Sequence, residues 1–391
     1  MNSNQRMTFK STKKVFIICR YELNLQIGIQ YNFMVIAFLY NVRHSYPDPN
    51  DPRTQIEADF DDPYVIKRII KHLKSLGYSI IPIEANEKAY LKLYRNKDKI
   101  DLAFNFSEGV YGKDRECQIP AMLEMLQIPY TGSSPLTQAI VLNKAKTKEI
   151  LAANNIAVLP SQVFKTGEEK FQKKISFPII VKPLSQGSGA GITNKSVVYD
   201  EKGLIEQVKL CVKNFNQPAM AEPFLRGREF SVAMLGNPPR ILPPIEPDHS
   251  LLPKGYLPMD SLEVKWIFEE QSEKHHLICP ARMDGELKNK IEKICLNTWN
   301  ALEIRDWCRI DLRCDDKENV YILEVNSPAG LLPPEISMTS YFPMAARAAG
   351  IDYDELLRAI IETAMERIEI DGVPHSACLR RQALGGVRDS A

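Results

Sequence analysis

Short apolar runs alternate with amphipathic stretches over the first third of the chain. Residues 34–40, Met-Val-Ile-Ala-Phe-Leu-Tyr, form a continuous apolar run, which is typical of a parallel strand buried on both faces. Two more runs of strand type follow at 78–83 and 101–106. Between the first two runs, residues 63–76 have helical periodicity, with a proline in the first turn and a glycine just after the end. This alternation predicts a small parallel α/β lobe over residues 34–137.

Further helices and strands are predicted along the rest of the chain. The segment from Pro238 to His276 is rich in proline and charge and is long for a loop, so we expect it to be either functional or mobile. The other predicted elements are a helix from Leu136 to about Asn155, a strand at 177–183, a strand that starts at Ile192, an alternating pair within 219–235, and helices at 287–302 and 351–370.

Two short alternating runs near the C-terminus predict a β-hairpin. The runs are residues 308–313 and 320–326, and the polar segment 315–319 between them is of the kind that joins antiparallel strands. A turn centred between Lys317 and Glu318 pairs residues at equal distances on its two sides.

This register predicts a charged face on the hairpin. Asp311 is expected to lie opposite Glu324, and Arg309 opposite Asn326, all on one face because side chains alternate along a strand. Opposed carboxylates repel each other unless a cation joins them, and Mg²⁺ prefers such oxygen ligands, with the Asn326 amide as a third. The alternative is a solvated hairpin with a charged outer face. The other face is expected to pack in a core and carries Ile310, Leu312, Leu323 and Val325.

A glycine-rich loop follows the predicted strand that ends at Lys182 and Pro183. A charge at the end of an apolar strand is costly unless it meets an anion. Gly187 and two further glycines within the 185–191 loop allow backbone N–H groups to close on phosphate oxygens, and Ser188 adds a hydroxyl. The alternative is a tight turn with a lysine that reaches solvent. The loop is not a Walker motif, because GxxxxGK[ST] is absent.

Two other groups of charged residues are candidates for a nucleotide site. Glu222 and Glu229 flank a turn, where each could accept hydrogen bonds from an amino group or from ribose hydroxyls, although such glutamates are more often solvated. Lys144 lies on a predicted helix beside Lys146 and Lys148, and a lysine-rich helix face is usually solvated.

The overall composition excludes several classes of function. The 391 residues suffice for two or three lobes. The formal net charge of +1 provides no basic surface for nucleic acid or for a membrane, and no apolar run reaches the length of a membrane span. The eight cysteines form no Cys-x-x-Cys pair, so reduced thiols and the cytosol are expected. Residues 1–33 are predicted to be an extension, and residues 371–391 a disordered tail.

The order of these features resembles the ATP-grasp superfamily and, more narrowly, the D-alanine–D-alanine ligase family. The resemblance covers roughly residues 100–365. The matching strings are Ile128-Pro-Tyr-Thr-Gly-Ser, Asn143-Lys144, Ile180-Val-Lys182-Pro183, Gly187-Ser188, Glu222 with Gly227-Arg-Glu229-Phe, Arg309-Ile-Asp311, Leu323-Glu324-Val-Asn326 and Pro343-Met-Ala-Ala-Arg-Ala-Ala-Gly350.

This resemblance implies a three-lobed α/β ATP-grasp fold. The N-terminal parallel α/β lobe would cover residues 34–137 and would precede an ATP-grasp domain at 138–370. That domain would divide into a central lobe at 138–218 and a C-terminal lobe at 219–370. The loops at 185–191 and 238–276 would be lids over the reaction site.

The resemblance also implies roles for individual residues. Catalytic roles fall to Arg309 and the Gly330 N–H, which would stabilise the oxyanion of a tetrahedral intermediate, and to Ser188. The nucleotide ligands would be Lys144, Lys182, Gly187, Ser188 and Lys265 at the phosphates, Glu222, Phe224 and Leu225 at the adenine, and Glu229 at the ribose. The metal ligands would be Asp311, Glu324 and Asn326, and the substrate ligands Glu108 and Ser340.

The implied reaction joins two small amino-acid-like substrates at the expense of ATP. The γ-phosphoryl group passes to a carboxylate, and an amine then attacks the acyl phosphate. Two Mg²⁺ ions, or Mn²⁺ in their place, would neutralise the phosphate oxygens. The resemblance further implies a homodimer, a role in peptidoglycan biosynthesis, and no nucleic-acid or membrane partner.

The chain departs from the family pattern at positions that would line the substrate pocket. A Ser-x-Glu-His-x-Val-Ser string, whose glutamate holds the first substrate's ammonium, is absent near the N-terminus. Glu108 replaces a histidine, Arg115 a glycine and Trp266 a tyrosine, and about five residues are added between Gly330 and Ser340. We therefore expect ATP and metal binding to be kept and a dipeptide-type bond to be made, with D-alanyl-D-alanine as the nearest named product, whereas these positions bear on the identity of the two substrates.

Two alternatives follow from these departures. The same mechanism could act on another pair of amino or hydroxy acids, or the chain could be a nucleotide-binding homologue without catalysis. Arg309 favours catalysis, because a protein that only binds ATP has no need of an oxyanion donor.

Overall fold

The computed structural model describes residues 34–269 and 276–371. The predicted extension at 1–33 and all but the first residue of the predicted tail at 371–391 lie outside the described residues. From Val35 onward, the described residues fall within one compact unit.

The N-terminal sheet has three parallel strands in the order β2–β1–β3. They are β1 (Val35–Tyr40), β2 (Ser79–Glu84) and β3 (Leu102–Phe106). The central strand is fully buried over Ile36–Leu39, as its unbroken apolar run predicted. The predicted parallel α/β arrangement of these strands is therefore confirmed.

The helices of this region begin where the sequence provides caps. α1 (Pro63–Ser75) starts after Asp62, whose side chain accepts a hydrogen bond from a backbone N–H. α2 (Ala89–Asn96) was not predicted, because the Lys88 that precedes it makes no capping bond and only Ala89 and Leu93 are buried on it. α3 (Gln118–Met125) follows β3 and packs on the same sheet.

The single helix predicted from Leu136 to about Asn155 is two helices. α4 (Pro135–Leu142) ends at Asn143, whose backbone is extended, and α5 (Lys144–Ala153) begins at the next residue. The Asn143 side chain accepts a hydrogen bond from the Lys146 N–H, so one residue ends the first helix and caps the second. The break places Lys144 at the first position of α5.

The central sheet is antiparallel, with the order β4–β7–β5–β6. Its strands are β4 (Gln162–Phe164), β5 (Ile179–Pro183), β6 (Val197–Val198) and β7 (Ala219–Pro223), and helix α6 (Glu201–Phe215) packs on β5 and β7.

The strand predicted to start at Ile192 is absent at that residue. Gly191 has a φ of +73°, and Thr193 then caps the 3₁₀ turn Asn194–Ser196, so pairing with β5 begins only at Val197.

The C-terminal sheet has the order β13–β12–β8–β9. Its strands are β8 (Glu229–Leu235), β9 (Arg240–Ile241), β12 (Trp307–Cys314) and β13 (Val320–Asn326), all antiparallel. One face packs on α7 (Gly285–Ala301) in an apolar core. Helices α8 (Tyr341–Ala348) and α9 (Tyr353–Ile370) complete the described chain.

The segment at 238–276 contains short regular elements. Besides β9, it includes β10 (Glu246–Pro247), the 3₁₀ turn His249–Leu251 and the π-helix Val264–Phe268, and β10 pairs with β11 (Leu277–Ile278). No helix among the described residues is long and apolar enough to cross a membrane.

Candidate functional site: a nucleotide and metal cleft

The hairpin of β12 and β13 places the predicted metal ligands together. Asp311 pairs with Glu324, and Arg309 with Asn326, so the predicted register is confirmed at these positions. All four side chains are partly buried and border the same cleft region.

Beyond Asp311 the register shifts. Leu312 pairs with Ile322 instead of Leu323, because a β-bulge places an additional residue on β13. The prediction that Leu323 packs in the core is therefore wrong: Ile322 is buried in the core, and Leu323 lines the cleft beside Glu324. The bulge thus adds an apolar wall next to the carboxylates.

Asp311 is held by three side chains. Its Oδ1 accepts from Ser231 Oγ at 2.6 Å and from Arg309 Nε at 3.0 Å, and its Oδ2 accepts from Arg309 Nη2 at 2.8 Å and Asn326 Nδ2 at 3.1 Å. Burial opposes the positive charge of Arg309, but the carboxylates of Asp311 and Glu324 raise the pKa of that guanidinium above its ordinary value. Arg309 is therefore a fixed cation at this face.

Glu324 faces several lysines. Its Oε2 lies 3.4 Å from Lys144 Nζ. Burial alone would raise the pKa of Glu324, but Lys144, Lys265 and Lys182 lower it to about 2. The carboxylate is therefore ionised at neutral pH, as a metal ligand must be.

Glu222 lies between two lysines. It is 1% exposed, with Oε2 at 2.7 Å from Lys148 Nζ and Oε1 at 2.5 Å from Lys182 Nζ. Burial raises the pKa of Glu222, but the two lysines outweigh it and bring the pKa to about 2. Lys182, Glu222, Lys265 and Glu324 line one cavity of about 90 Å³.

Lys148 was missed as a candidate because its helix face was interpreted as solvated. It is buried, whereas Lys146 is exposed and pairs with Glu149 at 2.6 Å. Burial lowers the pKa of Lys148, although Glu222 opposes that effect. The signal was the spacing of four residues from Lys144, which places both lysines on one face of α5.

The same cavity continues between β7, β8 and β12. Phe224 and Leu225 line it, as does Glu229, which pairs with Arg313 Nη1 at 3.0 Å. The Arg313 guanidinium also lies 5.2 Å from the centre of the Phe224 ring. Arg313 was not among the predicted site residues, because nothing near it in the sequence indicates a partner 84 residues away.

The glycine-rich loop is attached to residues far away in the chain. Lys144 Nζ donates to the Gln186 carbonyl, and Trp266 Nε1 donates to the Ser188 carbonyl at 3.3 Å. The Gly187 N–H donates to Asp59 at 3.2 Å, and Asp59 pairs with Arg115 at 2.7 Å. A Cβ on Gly187 would lie 2.6 Å from Asp59 Oδ1, so the absence of a side chain permits this close approach.

Lys265 borders both cavities of the site. Burial would lower the pKa of this lysine, but the carboxylates of Asp260, Glu324 and Asp311 raise it. Asp260 also accepts from the Tyr341 hydroxyl and lies 3.2 Å from His249 Nε2. Part of the long 238–276 segment is therefore built into the site, which agrees with the functional alternative predicted for it.

A second cavity, of about 1000 Å³, adjoins the carboxylate face. Glu108, Glu116, Gly330 and Ser340 all line it. Ser340 Oγ accepts from the Leu332 N–H at 3.2 Å, and Gly330 is exposed at the rim. The predicted substrate ligands thus border a space connected to Lys144, Arg309 and Asn326.

The donor set fits magnesium. No group of three or more His, Cys, Asp and Glu side chains suited to a metal ion occurs among residues 34–269 and 276–371. Mg²⁺ is, however, usually bound by one or two carboxylates together with substrate phosphates and water. Asp311 and Glu324 supply two carboxylates, and rotation of the Asn326 amide would present its oxygen.

Comparisons with known proteins give the relatives of this chain. The family model described as D-ala D-ala ligase C-terminus matches residues 146–362, more than half of the chain. The D-alanine–D-alanine ligase of Desulforudis audaxviator is 31% identical over 303 residues, covering 75% of this chain and 90% of that protein. The uncharacterized protein y4sG of Sinorhizobium fredii is 28% identical over 356 residues, covering 89% and 99%.

Solved structures have the same fold. The crystal structure of the D-alanine–D-alanine ligase of Bacillus anthracis complexed with ATP aligns with a TM-score of 0.64 at 25% identity, covering 86% of this chain and 99% of that one. The predicted ATP-grasp fold is thereby confirmed. Since the order of motifs, the fold and the relatives all agree, the chain belongs to the D-alanine–D-alanine ligase family.

Proposed function

We propose that the protein is an ATP-dependent ligase that joins a carboxylate to an amine through an acyl phosphate. The observation that carries this proposal is the β12–β13 face, where Arg309 and two carboxylates lie beside buried lysines. A nucleotide-binding protein without catalysis would gain nothing from the Arg309 guanidinium in this position. The charged face of the β12–β13 hairpin is therefore assigned to catalysis as well as to ATP binding.

The lysines would hold the phosphates of ATP. Lys144, Lys182 and Lys265 surround the space next to Glu324, and the 185–191 loop would close over the phosphates with the N–H groups of Gly187 and Ser188. Buried cations act strongly in such a site because little water screens them. When Mg²⁺ is bound by Asp311, Glu324 and Asn326, it supplies neutralisation of the phosphate oxygens.

The nucleoside would lie along the apolar part of the first cavity. Phe224 and Leu225 would flank the adenine, with Glu222 near its amino group and Glu229 near the ribose hydroxyls. Lys148 would hold the Glu222 carboxylate in place through their ion pair.

After phosphoryl transfer, the second substrate's amine would attack the carbonyl carbon of the acyl phosphate. The C–N bond would form as the C–O bond to phosphate breaks, so that inorganic phosphate leaves and the amine nitrogen gives up a proton. Arg309 and the Gly330 N–H would then stabilise the oxyanion, since positioned donors act where charge develops. Ser340, which lines the same cavity as Glu108, would bind the carboxylate of the second substrate.

The substrates are proposed to be small amino-acid-like molecules, joined in a dipeptide-type bond. Two D-alanines are the nearest named pair, and Glu108, which stands where the family has a histidine, lines the cavity where another pair of amino or hydroxy acids would be distinguished. The three lobes at 34–137, 138–218 and 219–370, the homodimer and the cytoplasmic location stay predictions.

The test is ATP-dependent ADP release in the presence of Mg²⁺ and pairs of D- and L-amino acids and hydroxy acids. We expect release with at least one pair, together with a condensed product found by mass spectrometry. Absence of release with every pair would contradict the ligase proposal.

A matched pair of variants tests the metal face. Asp311→Asn removes one of the two metal carboxylates and is expected to abolish turnover. Asp316→Asn makes the same change at an exposed position in the turn of the hairpin and should leave turnover unchanged. Comparable rates in the wild-type protein and Asp311→Asn would refute the assignment of Asp311.

A further inference from the structure

Two carboxyl groups in the substrate cavity form a pair. Glu108 follows β3, and its N–H donates at 2.9 Å to Asn41 Oδ1, which also accepts from the Gly109 N–H at 3.1 Å. Glu116 lies in the next short helix, is 9% exposed and lines the same cavity as Glu108, and its charge raises the pKa of Glu108. The residue after β1 thus fixes the backbone of Glu108 at this cavity.

Among the residues that the structure describes, no basic side chain forms an ion pair with either carboxyl group. Arg115 is adjacent to Glu116 in the chain, but its guanidinium binds Asp59 at 2.7 Å and the Ser185 carbonyl at 3.0 Å. Lys144, whose charge lowers the pKa of Glu116, is paired with Glu324 and donates to the Gln186 carbonyl.

A third acceptor in the same cavity has no partner. Gln186 is 9% exposed and lines the cavity with both glutamates, and its Oε1 accepts no hydrogen bond. A buried oxygen without a donor is costly, so it is expected to meet a ligand that donates hydrogen bonds. Two carboxyl groups and an amide oxygen together suit a cation with several N–H groups.

The titration of the pair agrees with this interpretation. Burial and the neighbouring charges of Glu116 and Asp59 raise the pKa of Glu108, which Arg115 partly opposes. The pKa of Glu116 is raised to about 7, because burial and the charge of Asp59 outweigh the opposite effect of Arg115 and Lys144. The pair therefore retains a proton at neutral pH in place of a cation.

We propose that Glu108 and Glu116, with Gln186 Oε1, bind the primary ammonium group of the amino acid that is phosphorylated. The inference rests on the proposed function. In an α-amino acid, one carbon separates the ammonium from the carboxylate, so the ammonium must bind near the phosphoryl group. Both glutamates meet this requirement, because they line the same cavity as Lys144 and Glu324, which are proposed to hold the phosphates and the metal.

This site replaces the one that the chain lacks. The glutamate string near the N-terminus, which serves the first substrate's ammonium elsewhere in the family, is absent from the sequence. Glu108 and Glu116 come instead from the segment after β3, at the C-terminal end of a parallel strand, where α/β folds commonly bind ligands.

The experiment measures ADP release by the full chain with Mg-ATP. Each active amino acid is compared, as first substrate, with its 2-hydroxy analogue and with the acid that carries neither group. Glu108→Gln and Glu116→Gln are each expected to raise the KM for the amino acid about tenfold or more and to leave the KM for ATP unchanged. Asp114→Asn, an exposed carboxylate in the same loop, is the matched control.

A pH profile gives a second measurement. Because the pair must lose its proton before it can bind a cation, the KM for the amino acid should fall as the pH rises from 6 to 8 through about 7. Glu116→Gln should remove that dependence. The KM for ATP reports whether each variant is still folded.

The outcomes separate the two proposals. No ADP release by the wild-type protein with any acid would overturn the ligase proposal, and this inference with it. Two results would overturn the ammonium site alone, provided that the wild-type protein releases ADP. One is a KM for the amino acid in Glu108→Gln and Glu116→Gln equal to that of the wild-type protein. The other is use of the hydroxy acid as efficiently as the amino acid.

Discussion

At the scale of single residues, neighbouring lysines on one helix have opposite environments. Lys144 and Lys148 are buried in the site, and Lys146 between them is exposed. The three lysines have the same side chain, so composition does not tell which of them is buried. Helix geometry does, because residues four apart share a face whereas residues two apart do not.

The same contrast predicts the effect of removing each lysine. Lys148→Met leaves Glu222 paired with Lys182 alone. The Glu222 carboxylate is then expected to hold Lys182 more strongly and to draw it away from the phosphates. The KM for ATP should rise about tenfold in steady-state kinetics. Lys146→Met, the control, breaks only an exposed ion pair and should not change it; equal effects of the two variants would contradict the proposed position of Lys148.

The Glu116 carboxyl group is expected to lower the free energy of unfolding at neutral pH. Its pKa is raised to about 7 in the folded state, above that of an unfolded glutamate. The folded protein therefore loses stability as the pH rises from about 4.3 towards 7, where the unfolded chain has released the proton and the folded chain retains it.

Glu116→Gln removes this titration. The Tm of the variant should exceed that of the wild-type protein, and the difference should grow between pH 5 and pH 8 in thermal scans without ligand. A Tm difference that is constant over this range would show that the carboxyl group is not desolvated.

At the scale of elements, the glycine-rich loop is held by contacts outside its own strand. Asp59 and Gln55 accept N–H groups of Gly187 and Gly191, and Trp266 donates to Ser188 from the π-helix. The loop therefore joins the N-terminal region to the long 238–276 segment. Closure over ATP is expected to depend on both.

Gly187→Ala tests this attachment. The added methyl group would lie 2.6 Å from Asp59 Oδ1, which the ion pair with Arg115 prevents from moving aside. The loop should be displaced, with a higher KM for ATP. Gly285→Ala, where a Cβ meets nothing within 4 Å, is the control. An unchanged KM for ATP in Gly187→Ala would contradict the role of this contact.

At the scale of the whole molecule, Asp306 joins distant parts of the fold. It is fully buried and accepts from Arg367 of α9 at 2.8 Å and 2.9 Å, from the Gly132 N–H at 2.7 Å and from Asn237 at 2.7 Å. Arg367 also donates to the Tyr130 carbonyl, which lies beside β3. One carboxylate thus connects the N-terminal sheet, the C-terminal sheet and the last helix.

Arg367→Met should leave Asp306 buried without its cation. Removing one partner of a buried ion pair costs about 3–5 kcal/mol, so the free energy of unfolding should fall by about that amount in denaturant titrations. Lys290→Met breaks an exposed pair with Glu286 and should leave it unchanged. Similar values for the two variants would contradict the role of Asp306.

The amino-acid sequence by itself determined the features that depend on neighbouring residues. The buried strand at 35–40, the capped helix after Asp62 and the pairing of Asp311 with Glu324 all follow from local periodicity, capping and turn position. The family followed from the order of motifs, which needs no coordinates. These features were predictable because each is governed by interactions over a few residues.

Only the tertiary structure decided which charges meet when they lie far apart in the chain. Three contacts join residues far apart in the chain: Glu222 with Lys148, Glu229 with Arg313, and the glycine-rich loop with Asp59. The bulge that turns Leu323 into the cleft likewise depends on how β13 fits against β12. The physical reason is that burial and charge pairing are set by packing of separate elements, which local pattern does not specify.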